Sequence, residues 1–392
     1  MSAIANNNSS RMEQIQTPII PLVGELIANN PGTISLGQGV VSYAPPQDSL
    51  EALQKFWQDS QQHKYQPVIG IPQLREAIAT KLQRDNQIAI DDENAIVVTA
   101  GSNMAFLNAI LAITQPGDEI ILNTPYYFNH EMAIAMINCR PVLVATDANY
   151  QPKITALAKA ITPKTKAIIT ISPNNPTGVI YPQETLLAIN HLCSEAGIYH
   201  ISDEAYEYFT YDDIPHVSPG SFPKSSAHTI SLFSLSKSYG FASWRIGYMV
   251  IPQNLLLAVK KIQDTNLICP PVISQHAATG ALTTSSSYLS TNIGEIGKVR
   301  AIVREQFKQL PDSCQITSAA GAFYFFIKVA TDLSDLELVT KLIEQYKVAV
   351  IPGSTFGLTS GCYLRVAYGA LTEANARAGV SRLIEGLTEL TQ

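Results

Sequence analysis

From about residue 95 the chain alternates between two hydrophobic rhythms. AIVVT (95–99), EIILN (119–123), PVLVA (141–145), KAIITI (166–171), IYHIS (198–202), TISLFS (229–234) and GYMVI (247–251) are apolar mostly at consecutive positions. Such short runs predict strands covered on both faces. SNMAFLNAILAIT (102–114), NHEMAIAMINC (129–139), ITALAKAI (154–161) and ETLLAINHLCSEAG (184–197) instead carry helical spacing. Strands alternating with helices predict a mainly parallel sheet in an α/β fold. After about residue 275 longer helical stretches take over, with fewer strand candidates such as AFYFFIKV (322–329) and CYLRVAY (362–368). That change predicts a smaller α+β domain. Neither an internal repeat nor a low-complexity linker is visible, so the two domains are expected to share an interface. The Asn/Ser-rich residues 1–10 are expected to be a mobile tail.

Composition narrows the class. The 392 residues suit two domains, at roughly 150 residues each with some excess, and can bury a large core without disulfides. Lys plus Arg is 26 and Asp plus Glu is 32, a net charge of −6. A nucleic-acid binder would show a basic stripe, so that partner is not expected. Apolar content of 46% excludes disorder for most of the chain. Cys139, Cys193, Cys269, Cys314 and Cys362 are odd in number and scattered, without a Cys-x-x-Cys pair. They fit neither a disulfide framework nor a zinc site, and read as small core residues in a reducing compartment. The first residues lack the apolar region of a secretory signal, and no apolar run approaches the ~18 residues that cross a bilayer. No membrane association is expected, and the location expected is cytoplasmic.

In parallel sheets ligands sit beyond the carboxyl ends of the strands, and the unusual residues fall there. SLSKSYGFASWR (234–245) follows TISLFS. A lysine bracketed by serines just past an apolar strand can, as a neutral amine, form a Schiff base with a carbonyl. Ser234, Ser236 and Arg245 would supply donors to a phosphate; the plainer alternative is a solvated loop. SDEAYE (202–207) puts Asp203 at a strand tip, where a buried carboxylate needs a cation such as a protonated pyridine nitrogen. Otherwise Asp203 only caps a turn. SPNNPTG (172–178) makes a stiff loop able to orient an Asn, or simply a turn. TAGSNMAF (99–106), with Gly101 at the turn, opens a helix whose free amides suit a phosphate monoester. It matches neither the dinucleotide nor the P-loop pattern. Arg365 in YLRVAYG (363–369) lies within an apolar strand and needs an anion. That anion is either a substrate carboxylate or a structural Asp or Glu.

Taken together the set resembles the class I/II aminotransferases, the fold type I enzymes that depend on pyridoxal 5′-phosphate (PLP). ISLGQGV (34–40), Tyr65 through GIPQLREAIA (70–79), TAGSNMAF, PGDEIILNTPYY (116–127), SPNNPTG, SDEAYE, SLSKSYGFASWRIGY, GAFYFF, VIPGSTFG (350–357) and YLRVAYG occur in the family's order. The gap of eight between Lys237 and Arg245 also matches. The resemblance implies a seven-stranded large domain over residues 46–290 and a small α+β domain from 11–45 and 291–392. It implies that Lys237 is joined to PLP and, once freed, shuttles the substrate's α-proton. Asp203 would pair with the pyridinium nitrogen, and Tyr206 and Asn175 would bond the ring's phenolic oxygen. Gly101, Ser102, Asn103, Ser234, Ser236 and Arg245 would surround the phosphate, joined by Tyr65 from a second subunit of a homodimer. Tyr127 would stack on the ring. Arg365, with Asn175 and the Gly39 backbone, would clamp the substrate carboxylate.

The implied activity is amino transfer between an L-amino acid and a 2-oxo acid, alternating between two forms of the cofactor. The alternatives are a carbon–sulfur β-lyase on the same fold and a non-catalytic PLP-binding regulator. Many relatives place Trp where this chain has Tyr127. No cation lies between Asn266 and Ile273, where some aspartate-specific members carry an arginine. A neutral or aromatic substrate side chain is therefore expected, and GQGVV and PYYFNH resemble methionine- and aromatic-type members. No metal site is expected. The seven histidines read as structural or surface, Trp244 and the FYFF run (323–326) as packing, and Glu204 and Glu207 as a solvated turn.

Overall fold

Consecutive apolar residues of one strand feed two different layers. In β1 (Asn94–Thr99), Val97 joins a cluster with Ala105, Phe106 and Ile110, whereas Ile96 and Val98 join another with Leu74, Ile78 and Ala277. In β2 (Glu119–Thr124), Ile120 and Leu122 belong to the first cluster and Ile121 to a third with Leu157 and Ile189. Each fully buried Ile or Leu contributes about 1.5–3 kcal/mol, so helices are held on both faces of the sheet.

The computed structural model describes residues 10–13 and 15–391. Of the expected tail, residues 1–9 lie outside the described residues, and Ser10 opens the short helix Ser10–Glu13. The remaining strands of the large sheet are β3 (Arg140–Ala145), β4 (Thr165–Ile171), β5 (Tyr199–Asp203), β6 (Thr229–Ser234) and β7 (Gly247–Pro252). Their order across the sheet is β1-β7-β6-β5-β4-β2-β3. Only β7 runs against its neighbours. Helices Ser102–Ile113, Phe128–Met136, Ile154–Ala160 and Gln183–Ala196 fill the expected connections.

A second, antiparallel sheet has the order β10-β11-β9-β8, from β8 (Cys314–Ile316), β9 (Tyr324–Val329), β10 (Ile351–Pro352) and β11 (Cys362–Ala367). Near the N-terminus Ile34–Ser35 pairs in parallel with Val348–Ala349, which ties the start of the chain to its last third. The sheets meet at Gly178, whose carbonyl accepts from the Gly321 amide at 2.8 Å. Gly178 has φ +73°, and a Cβ there would lie 2.4 Å from the Tyr324 carbonyl oxygen. No side chain fits at this junction. All five cysteines are free; Cys139, Cys193 and Cys362 are buried. Among the described residues no helix is long and apolar enough to cross a membrane.

Candidate active site

Strand register gathers the site. Ile171 of β4 lies opposite Asp203 of β5, and Asp203 opposite Leu232 of β6, so the loops that follow open on one edge. Strand β7 enters from that edge, with Gly247 paired to both Thr99 and Ser234. A Cβ on Gly247 would stand 2.7 Å from the Phe233 carbonyl oxygen and 2.9 Å from the Ser102 amide nitrogen. This close approach sets Arg245 against the start of helix Ser102–Ile113. Gly101 precedes that helix at φ +86°, and a Cβ there would lie 2.4 Å from Arg245 Nη2.

A cavity of about 440 Å³ opens at this edge. Gly39, Ser102, Asn103, Tyr127, Asn175, Asp203, Tyr206, Ser234, Ser236, Lys237, Arg245 and Arg365 all line it. Gly101 sits just behind, at the helix start. Tyr65 is not brought in: it is 79% exposed and absent from the cavity wall.

Lys237 Nζ donates to the Gly39 carbonyl. Burial lowers its pKa to about 8, with Arg365 and Arg245 adding to the shift and Asp203 opposing it. The buried Asp203 carboxylate accepts from the Ala205 amide at 3.1 Å and faces His130 Nε2 at 3.2 Å. Arg365 is 2% exposed, yet no Asp or Glu pairs with it among the described residues. Its Nη1 donates to Asn175 Oδ1 at 2.9 Å and its Nη2 to the Gly37 carbonyl at 2.8 Å, while Nε has no partner. The alternative of a structural ion pair at Arg365 is thereby set aside. Asn175 Nδ2 donates to the Tyr206 hydroxyl at 3.3 Å. Burial pushes the Tyr206 and Tyr127 phenols upward, so both stay protonated donors near neutrality. Asn129 donates to the Tyr127 hydroxyl at 2.7 Å, fixing that ring at the wall.

Three sequence readings need correction. Glu204 and Glu207 are not a solvated turn: both are buried, Glu207 paired with the buried Lys81 and Glu204 with His216 and Ser218. A lysine 126 residues away for Glu207, and His216 and the Ser218 hydroxyl 12 and 14 residues on for Glu204, make that burial tolerable. His130 is not merely structural, because it meets Asp203; its place three residues after Tyr127, one helical turn on, was the available signal. Tyr324 is core strand but also cavity wall: its hydroxyl lies 2.7 Å from that of Tyr206 and its ring faces the Arg365 guanidinium at 4.6 Å. Ile20, Val40 and Phe128 also line the wall; Val40 and Phe128 lie within the quoted strings ISLGQGV and PYYFNH without being singled out there, and Ile20 had no sequence signal.

Residues 31–383 match the family described as aminotransferase class I and II. The chain is 33% identical over 385 residues to the aromatic aminotransferase ISS1 of Arabidopsis thaliana, covering 95% of this chain and 94% of that one. It is 34% identical over 377 residues to a probable aspartate/prephenate aminotransferase of Aquifex aeolicus, covering 93% and 94%. The solved aspartate aminotransferase of Rhizobium meliloti superposes with a TM-score of 0.90 at 29% identity, covering 98% and 99%. The chain belongs to the class I and II aminotransferases. It is a PLP-dependent enzyme that moves an amino group between an amino acid and a 2-oxo acid. The residues present fit the cofactor: free helix amides, two serines and Arg245 for a phosphate, a buried carboxylate for a ring nitrogen, and a lysine for the aldehyde.

The lowered pKa gives a direct prediction. Lys237 is protonated below pH about 8 and neutral, hence nucleophilic, above it. In cofactor-stripped protein, acylation of Lys237 followed by peptide mass spectrometry should rise through pH about 8. A midpoint at the ordinary lysine value of 10.5 would contradict the burial.

Proposed function

We propose that each lining residue acts as follows. The Ser102 and Asn103 helix end, Ser234, Ser236 and Arg245 hold the phosphate of PLP, with Gly101 giving Arg245 its room. Asp203 holds the ring nitrogen, His130 fixing the carboxylate from behind. Tyr206 and Asn175 bond the ring oxygen, and Tyr127 packs on the ring face. Arg365 holds the substrate carboxylate with Asn175 and the Gly39 backbone. Lys237 is both the attachment point and the base that moves the substrate's α-proton. When bound, PLP supplies an electron sink that lowers the cost of losing that proton. The carrying observation is the buried Arg365, without a carboxylate partner among the described residues, in the cavity that holds Lys237.

Amino donors with neutral or aromatic side chains suit this cleft. Its cations are Lys237, Arg245 and Arg365, each already assigned, and the rest of the wall includes Ile20, Val40, Phe128 and Tyr324. A second substrate carboxylate would find no further cation on this wall among the described residues. Relatives named for aspartate and for aromatic amino acids both occur; the wall favours the latter. Residues 46–290 are read as the large domain and 11–45 with 291–392 as the small one. The two sheets and the pairing of Ile34–Ser35 with Val348–Ala349 support that division. The free cysteines fit a cytoplasmic enzyme.

The unit proposed is a homodimer in which Tyr65 reaches the phosphate of the neighbouring site. Exposed Trp57 (62%) and Tyr65 (79%) support a covered face there.

Three experiments test these readings. In single-turnover half-reactions, phenylalanine or methionine should outperform aspartate by about tenfold or more. Arg365→Lys should raise substrate KM by about tenfold, because lysine lacks the two-pronged fork; aspartate preference, or an unchanged KM, would defeat this reading. Separately, Tyr65→Ala and Lys237→Ala chains, each impaired at limiting cofactor, should regain about a quarter of parent activity after subunit exchange. No recovery would place Tyr65 outside the neighbouring site.

A further inference from the structure

The helix that carries Lys237, Leu235–Ser238, is four residues long. Helix growth repays nucleation only over several turns, so this one is held from outside. At its start the Ser234 side chain accepts from the Ser236 amide at 3.2 Å. At its end the holder comes from far along the chain. The Tyr43 hydroxyl donates to the Lys237 carbonyl at 2.8 Å and lies 3.3 Å from the Ser238 carbonyl. Gly240, at φ +70°, lets the chain turn tightly against the same segment; a Cβ there would lie 2.6 Å from the Tyr43 carbonyl oxygen.

Tyr43 is itself fixed. Its ring meets Tyr288 edge-on at 6.0 Å, and Tyr288 stacks on Tyr239 at 6.1 Å with planes 3° apart. The Tyr288 hydroxyl donates to the Ala44 carbonyl at 2.6 Å. Upstream, the Gly37 and Gly39 carbonyls accept from Arg365 and Lys237. One extended segment, 37–45, thus touches the head of the lysine, the root of the lysine and the arginine.

We propose that Tyr43 is a positioning residue for the reaction, its hydroxyl fixing the Lys237 backbone and so the place from which the amine reaches. A lysine head sits on four methylenes, so its location depends on where its root is pinned. Proton transfer is steep in distance, and a misplacement of about 1 Å can cost roughly a hundredfold. Burial raises the Tyr43 phenol above its ordinary 10.0, so the donor persists across the working range. The inference rests on the proposed role of Lys237 as the reacting amine.

The test is Tyr43→Phe, which keeps the ring against Tyr288 and removes one oxygen. Loss of one hydrogen bond of about 1 kcal/mol corresponds to roughly a fivefold fall in single-turnover rate, with substrate KM within about twofold. Tyr288→Phe, which breaks only the bond to Ala44, should stay within about twofold of the parent rate. The proposal is overturned if Tyr43→Phe keeps its rate, or if both variants fall equally, which assigns the effect to the aromatic wall. Full turnover in Lys237→Ala would instead defeat the underlying reading of the lysine.

Discussion

Three cations and one carboxylate share one cavity, and that imbalance constrains everything around it. Lys237, Arg245 and Arg365 face only Asp203 among the ionised groups of the wall. Arg245 is exposed and keeps its hydration, but a buried cation is costly, and the two inner side chains meet that cost differently. Lysine can shed its proton, and its pKa falls to about 8. Arginine cannot, so Arg365 spreads its donors over Asn175 and Gly37 and lays its plane near the rings of Tyr324 and Phe356 at 4.6 and 5.1 Å. On the proposed assignment, a phosphate and a substrate carboxylate would be the anions that relieve the remainder. The cleft wall is thus short of negative charge, as the proposed binding of an anionic cofactor and substrate requires.

The fold delivers those charges through register rather than through nearness in sequence. Parallel β4 and β5 end level and β6 runs two residues further, which brings Asn175, Asp203 and Lys237 to one edge from positions more than twenty residues apart. The antiparallel β7 returns Arg245 to the helix that begins at Ser102, with glycine at 101 and 247 clearing the way. Arg365 comes from the other sheet, across the junction at Gly178. The reacting groups therefore depend on the packing between the sheets as much as on either sheet alone.

Much of this was legible in the sequence. All seven strands of the large sheet were marked by runs apolar at consecutive positions, and burial on both faces explains this for the inner strands. The edge strand β3 is partly exposed, with Leu143 at 47%, so its expected cover on both faces is corrected. Lys237, Asp203 and Arg365 stood out because a charge beside an apolar strand demands a partner. The buried Glu204 and Glu207 were misread because their partners, His216 and Lys81, lie 12 and 126 residues away in sequence, and nothing local distinguishes a paired carboxylate from a solvated one. Tyr324 was hidden inside an aromatic run that does build core, and only the pleat decides that its hydroxyl faces Tyr206 while Phe325 packs inward. Phe128 reaches the wall beside its neighbour Tyr127, whereas Ile20 does so through tertiary packing alone.

The central claim is that this charge arrangement makes one particular amine the point of attachment for PLP. Borohydride reduction of the purified, cofactor-loaded enzyme, followed by proteolysis and mass spectrometry of the peptides, reads that directly. The account predicts a single pyridoxyl-modified peptide containing Lys237, absent from Lys237→Ala protein. A label on any other lysine, with Lys237 recovered unmodified, would contradict it.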